Sequence, residues 1–123
     1  MTQEKKKKKT RQQVYTLLVQ VGRKDGDGLP DEATGGALMI YASGVDEAEA
    51  VRETVAILKQ ADLNPLDVTG YGTVEEREAQ GHEIDGHERG LMQRALDENS
   101  VVVAQLTPFY HGEESEDAAI TEH

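Results

Sequence analysis

Apolar positions along the chain repeat first every second residue and then about every 3.6, and the changes of period mark out its elements. Val14 to Val21 puts Tyr15, Leu17, Val19 and Val21 on one face, the signature of a strand. Gly22 to Gly36 then collects Asp25, Gly26, Asp27, Gly28, Pro30, Gly35 and Gly36, a breaker-rich composition that predicts a long loop or loose hairpin. Ala37 to Ser43 is nearly continuously apolar and short, which predicts a strand buried on both faces near the centre of a sheet. After Gly44 the stripe Ala48, Val51, Val55, Leu58 has helical spacing, and Asp46 with Glu49 has the form of a capping box. A helix over 46–61 follows, ended by Asn64-Pro65.

Residues 66–72 alternate like a third strand and break into glycines. Thr73 with Glu76 predicts a capped turn through Ala79. Asp85 with Glu88 predicts the start of a second main helix, with Leu91, Met92, Ala95 and Leu96 on its apolar face and Asn99 at its end. Val101 to Leu106 is the fourth strand, closed by Pro108. The expected order is therefore β-β-α-β-α-β with two parallel strand-helix-strand crossovers. That makes an α+β fold: a two-layer α/β sandwich, a mixed four-stranded sheet with both main helices on one face. It is similar to the ferredoxin-like plait, though with a different order of elements. Helices on one face would leave the other face of an apolar central strand uncovered, so the chain is expected to pair with itself, sheet to sheet, as a homodimer or higher oligomer.

Charge divides the chain. Residues 1–11 hold six basic side chains, Lys5 to Lys9 and Arg11, against Glu4, a net of +5; with −11 overall, the other 112 residues carry −16. Residues 1–12 are read as a disordered basic tail, 13–111 as a single α/β domain, and 112–123, with Glu113, Glu114, Glu116 and Asp117, as a disordered acidic tail. Five lysines suit a polyanion, but an acidic body behind them repels the same partner, so nucleic acid is not expected. One Phe and four Tyr also give few aromatics for stacking. The chain has no cysteine, which removes disulfides, thiol catalysis and thiolate metal sites. No apolar run approaches the roughly 20 residues of a membrane helix, and no cleavable leader is recognisable behind the lysines. A cytoplasmic protein is expected.

The densest set of ligand-type side chains is His82-Glu83-Ile84-Asp85-Gly86-His87-Glu88. The two histidines lie five apart, whereas two ligands on one helical face need a spacing of four. A metal site built from His82, Asp85 and His87 therefore requires a loop to fold them together, and Asp85 is already explained as a helix cap. Asp25-Gly-Asp-Gly resembles a calcium loop, but the fifth and sixth positions are Leu29 and Pro30 and the twelfth is Gly36, which breaks the pattern. Gly70-Tyr-Gly-Thr73, between a strand and a helical turn, has the location of an anion site without the third glycine or the lysine of a nucleotide loop. If its strand adjoins the one ending at Ser43, then Tyr41, Ser43, Tyr71 and Thr73 would line one small ligand pocket. Ser43 and Ser100 have no nucleophile-elbow context. The expectation is a non-catalytic module, with no cofactor, that binds a protein partner or small ligand; the alternative is a small metal-assisted enzyme using the His82–Glu88 segment.

Overall fold

A computed structural model describes residues 12–110. The expected tails, apart from Gln12, and His111 lie outside the described residues. Strands β1 (Gln13–Gly22) and β2 (Ala33–Gly44) form a hairpin, followed by helix α1 (Glu47–Gln60) and strand β3 (Asn64–Gly72). A short helix α2 (Val74–Ala79), helix α3 (Gly86–Glu98) and strand β4 (Val101–Tyr110) complete the fold. The class is α+β, but the order is β-β-α-β-α-α-β, so the expected order and its ferredoxin-like character are not what the chain adopts. The segment after Thr73, anticipated as a turn, closes into a helix because both halves of its capping box form.

The sheet order is β3-β1-β2-β4 and every pairing is antiparallel, which corrects the expected mixed sheet. The parallel crossovers fail for a simple reason. β2 and β3 run the same way, but β1 lies between them, so they never exchange hydrogen bonds.

The two faces of the sheet bury two different cores. Tyr15, Leu17, Val19 and Val21 of β1 and Leu38, Ile40 and Ala42 of β2 pack with Ala50 and Leu58 of α1. The alternate positions, Val14 of β1 and Tyr41 of β2, pack with Met92 and Ala95 of α3 and Val102 of β4. Because successive strand side chains point to opposite faces, α1 covers one face and α3 the other. The helices therefore do not share one face, and the uncovered apolar face that called for a sheet-to-sheet homodimer is occupied by α3. Towards the other end of that face Leu18 and Met39 are half-buried and Gln20, Gln105 and Thr107 exposed.

Boundaries shift where tertiary packing overrides local composition. β2 starts at Ala33 because Gly35 and Gly36 serve close backbone approach: a Cβ on Gly35 would lie 2.6 Å from the Val21 carbonyl oxygen. The loop is thus only 23–32. On α1 the buried stripe is Ala50, Thr54 and Leu58, with Val51 beside it, while Ala48 is exposed. The helix ends at Gln60, with Asp62 at φ 65°, and Asn64-Pro65 open β3 instead of stopping α1. Pro108 sits inside β4, permissible because β4 is an edge strand.

Candidate functional site

Three places in the fold gather chemistry. The first lies under α2 and α3 around Arg77. Its Nη1 donates to Thr16 Oγ1 at 3.2 Å and to Glu88 Oε1 at 3.2 Å, and its Nε donates to His82 Nδ1 at 3.1 Å. The Tyr41 hydroxyl donates to the same Glu88 oxygen at 2.7 Å. The ring of Tyr71 meets His82 edge-on at a centroid separation of 6.3 Å. Tyr41 is buried, and that burial, reinforced by the hydrogen bond and negative charge of Glu88, pushes its hydroxyl up to about 12; Arg77 pulls weakly the other way. Tyr41, Tyr71 and His82, expected to belong to two separate sites, thus join one network. The two residues at its centre, Arg77 and Glu88, escaped the sequence reading. The sequence pattern gives Glu88 a capping role; in the fold its backbone N–H is capped by Asp85 while its carboxylate turns inward. The available signal was Arg77 itself, a lone cation within Glu75-Glu76-Arg77-Glu78. Because Nε and Nη1 of Arg77 are spent on internal partners, the network ties α2, α3, β1 and β2 together.

The second place is a cavity of about 180 Å³ between α1, the end of β2 and the start of β4. Asn99 occupies the left-handed region, φ 49°, as the C-cap of α3, a conformation its short amide side chain tolerates. From there Oδ1 accepts from the Ser43 hydroxyl at 3.0 Å and from Gln12 Nε2. Gln12 Nε2 also donates to Ser43 Oγ at 2.8 Å. Glu49 and Glu53, one turn apart on α1, and Ser100 complete the polar lining.

The third is the edge strand β4. Its ten residues carry no charged side chain in a chain that is 30% charged. An extra residue, Ala104, interrupts the pairing with β2, so that Val103 opposes Ile40 and Leu106 opposes Leu38 on the same face. Val103 is 49% exposed, Leu106 42%, and Ile57 of the neighbouring α1 40%. The opposite edge, β3, differs in its charge: a proline and two register shifts are common to both edges, but β3 alone carries a carboxylate, Asp67, a device that blunts an edge.

The expected ligand pocket does not assemble. Tyr41 and Tyr71 join the Arg77 network, Ser43 lines the cavity at α1, and Thr73 is the N-cap of α2, beside an open groove of about 670 Å³ floored by Val14, Val74, Met92 and Leu96. The cause is again β1, which separates the ends of β2 and β3. Of the proposed metal ligands, His82 accepts from Arg77, Asp85 caps α3, and His87 is exposed in the first turn of α3. Among the described residues no group of three or more His, Cys, Asp or Glu side chains is placed to hold a metal ion. None of the described helices is long and apolar enough to cross a membrane.

No curated protein and no solved structure matches the chain. One family model does, over residues 14–110, the span from the second residue of β1 to the last of β4. The chain belongs to that family, described as Domain of unknown function (DUF8846).

Proposed function

We propose that this domain is a non-catalytic association module that joins a second copy of itself through the free edge of β4, two sheets becoming one across a two-fold axis. The observation that supports the reading is the charge-free edge bearing Val103 and Leu106. An edge strand presents unpaired backbone N–H and C=O groups, and an uncharged apolar one invites pairing. Two chains of net charge −11 repel each other; β4 is the stretch where they approach without setting carboxylate against carboxylate. An isologous antiparallel pairing also closes on itself, so assembly stops at two.

Light scattering coupled to size exclusion, across a dilution series, tests this. The wild-type chain should elute at twice its 13.5 kDa mass, and the dimer should strengthen with salt, because salt screens the repulsion between like-charged bodies. Leu106→Lys, which charges the edge without touching a core residue, should give a folded monomer by circular dichroism. A wild-type chain that stays monomeric up to millimolar concentration rules the reading out.

A further inference from the structure

We infer that the gap between the two α1 helices of the β4-paired dimer is a docking groove for one amphipathic helix of a protein partner, apolar on one face and basic along its flanks. The groove rests on the β4 pairing proposed above, which leaves it open. Edge pairing consumes backbone N–H and C=O groups, whereas side chains stand roughly perpendicular to a sheet. Val103 and Leu106 lie opposite Ile40 and Leu38, which belong to the core under α1, so both point to the α1 face. Both are exposed, and they stay uncovered on that face after two β4 strands have joined.

Spacing sets the width of the occupant. Leu17 and Val19 of β1 and Leu38 and Ile40 of β2 share a core with Ala50 and Leu58 of α1, so the α1 axis runs over the middle of that strand pair. With strands about 4.8 Å apart, the axis lies one and a half spacings from β4 and two from the dimer two-fold, about 10 Å. Helices pack at about 8–10 Å between axes, so one helix laid on the two-fold reaches both α1 helices and rests on Val103 and Leu106 of both chains. The walls set its charge. Glu49, Glu53 and Ile57, each one turn from the next, form the stripe of α1 that faces the start of β4, and they line one cavity with Val101; among the described residues no Lys, Arg or His lines it. Pairing brings four carboxylates to one gap, Glu49 and Glu53 from each chain. A helix with lysines or arginines on its flanks offsets their repulsion while its apolar face covers Val103, Leu106 and Ile57.

The test is calorimetric titration of the full chain with synthetic helical peptides of about 18 residues, long enough to hold a helix in solution. Two share one leucine face, the first flanked by lysines and the second by glutamates; a third keeps the lysines and replaces leucine by serine. The first should bind with one peptide per two chains, the second at least about tenfold more weakly, and the third not at all. Ile57→Lys, an exposed position outside β4, should weaken the first peptide by about tenfold while light scattering still reports the dimer. A dimer that binds none of the peptides, takes one per chain, binds the two leucine peptides equally or ignores Ile57→Lys would overturn the groove and leave the β4 pairing standing. Association beyond the dimer would give the gap to further copies of the chain and overturn it too. A chain that is monomeric without peptide would instead remove the β4 pairing, and the groove with it.

Discussion

The Tyr41 hydroxyl and the Arg77 guanidinium meet on one oxygen, Glu88 Oε1, at 2.7 and 3.2 Å. That oxygen joins the first turn of α3 to β2 and to α2. Through its second bond from Nη1, to Thr16, Arg77 carries the connection on to β1. Four elements on one face of the sheet are therefore held by a single part-buried ion pair and its hydrogen bonds, on a face where α3 buries only Met92 and Ala95 fully.

Alkaline titration reads this arrangement. With Tyr41 pushed up to about 12 from its ordinary 10.0, the unfolded chain releases the Tyr41 proton first. Between pH 10 and 12 the unfolded state then binds fewer protons than the folded one, so stability falls as pH rises through that window. Absorbance of the tyrosinate band should show one of the four tyrosines ionising near 12, and Tyr41→Phe should remove that step. A latest step that persists in Tyr41→Phe would assign it to another residue.

Arg77→Met keeps an apolar stem under α2 but removes the donors to Thr16, His82 and Glu88. Breaking a fully buried pair costs about 3–5 kcal/mol. The Arg77 side chain is 12% exposed and Glu88 27%, so solvent screening reduces this to about 2 kcal/mol, roughly 10 °C of melting temperature for a domain of this size. Glu88→Gln should cost less, and the double variant should cost less than the sum, because the two groups are coupled. Additive losses in a thermal-melt cycle would mean that the pair is not an energetic unit.

The 23–32 loop has its own pH signature. Asp27 accepts from Arg23 Nε at 3.0 Å, from the Lys24 N–H at 2.8 Å and from the Leu29 N–H at 3.0 Å; Arg23 also donates to the carbonyls of Pro30 and Ala33. The Arg23 bond first, then the backbone donors, hold the Asp27 carboxyl down to about 2 from 3.8, against an opposing effect of burial. A depressed carboxyl stabilises the fold fully above its unfolded value, so this contribution is present at neutral pH and is lost as pH falls from about 4 towards 2. The protection of the Leu29 and Ala33 amides, their exchange relative to the intrinsic rate at each pH, should fall across that window, and Asp27→Asn should make it low at every pH. Protection that stays constant between pH 4 and 2 in the wild-type chain would refute the assignment.

Period and capping were legible in the sequence; partnership was not. The alternation in Val14–Val21 and the N-caps at Asp46, Thr73 and Asp85 fix local structure by local chemistry, and the helix starts stand where those signals put them, although only Thr73 completes its capping box. Which strand lies beside which depends on contacts between residues far apart in the chain, as in Gln13↔Gly44 and Gln20↔Asp67, about which a single sequence carries no periodic signal. That one unknown displaced α3 to the far face and dispersed Tyr41, Ser43, Tyr71 and Thr73. Gly35 and Gly36 misled for a related reason. As isolated residues they read as breakers, whereas in the sheet a Cβ would lie 2.6 Å from the Val21 carbonyl oxygen at Gly35 and 3.1 Å from the Thr107 carbonyl oxygen at Gly36, a clash at the first and a tight contact at the second.

Glycine substitutions separate those two meanings. Gly35→Ala would set a methyl 2.6 Å from the Val21 carbonyl oxygen, and because the obstacle is backbone, β1 and β2 must part locally. Overpacking of this kind costs about 1–3 kcal/mol. Gly90 lies within α3, and a Cβ there meets nothing within 4 Å. Gly90→Ala therefore gains helix propensity alone, about 1 kcal/mol of added stability. Chemical denaturation of the two variants should move the midpoint in opposite directions from wild type with similar slopes. If Gly35→Ala is neutral, the close approach of β1 and β2 at Val21 is not what requires glycine; if Gly90→Ala destabilises, α3 packs more tightly against its surroundings at that position than open space allows.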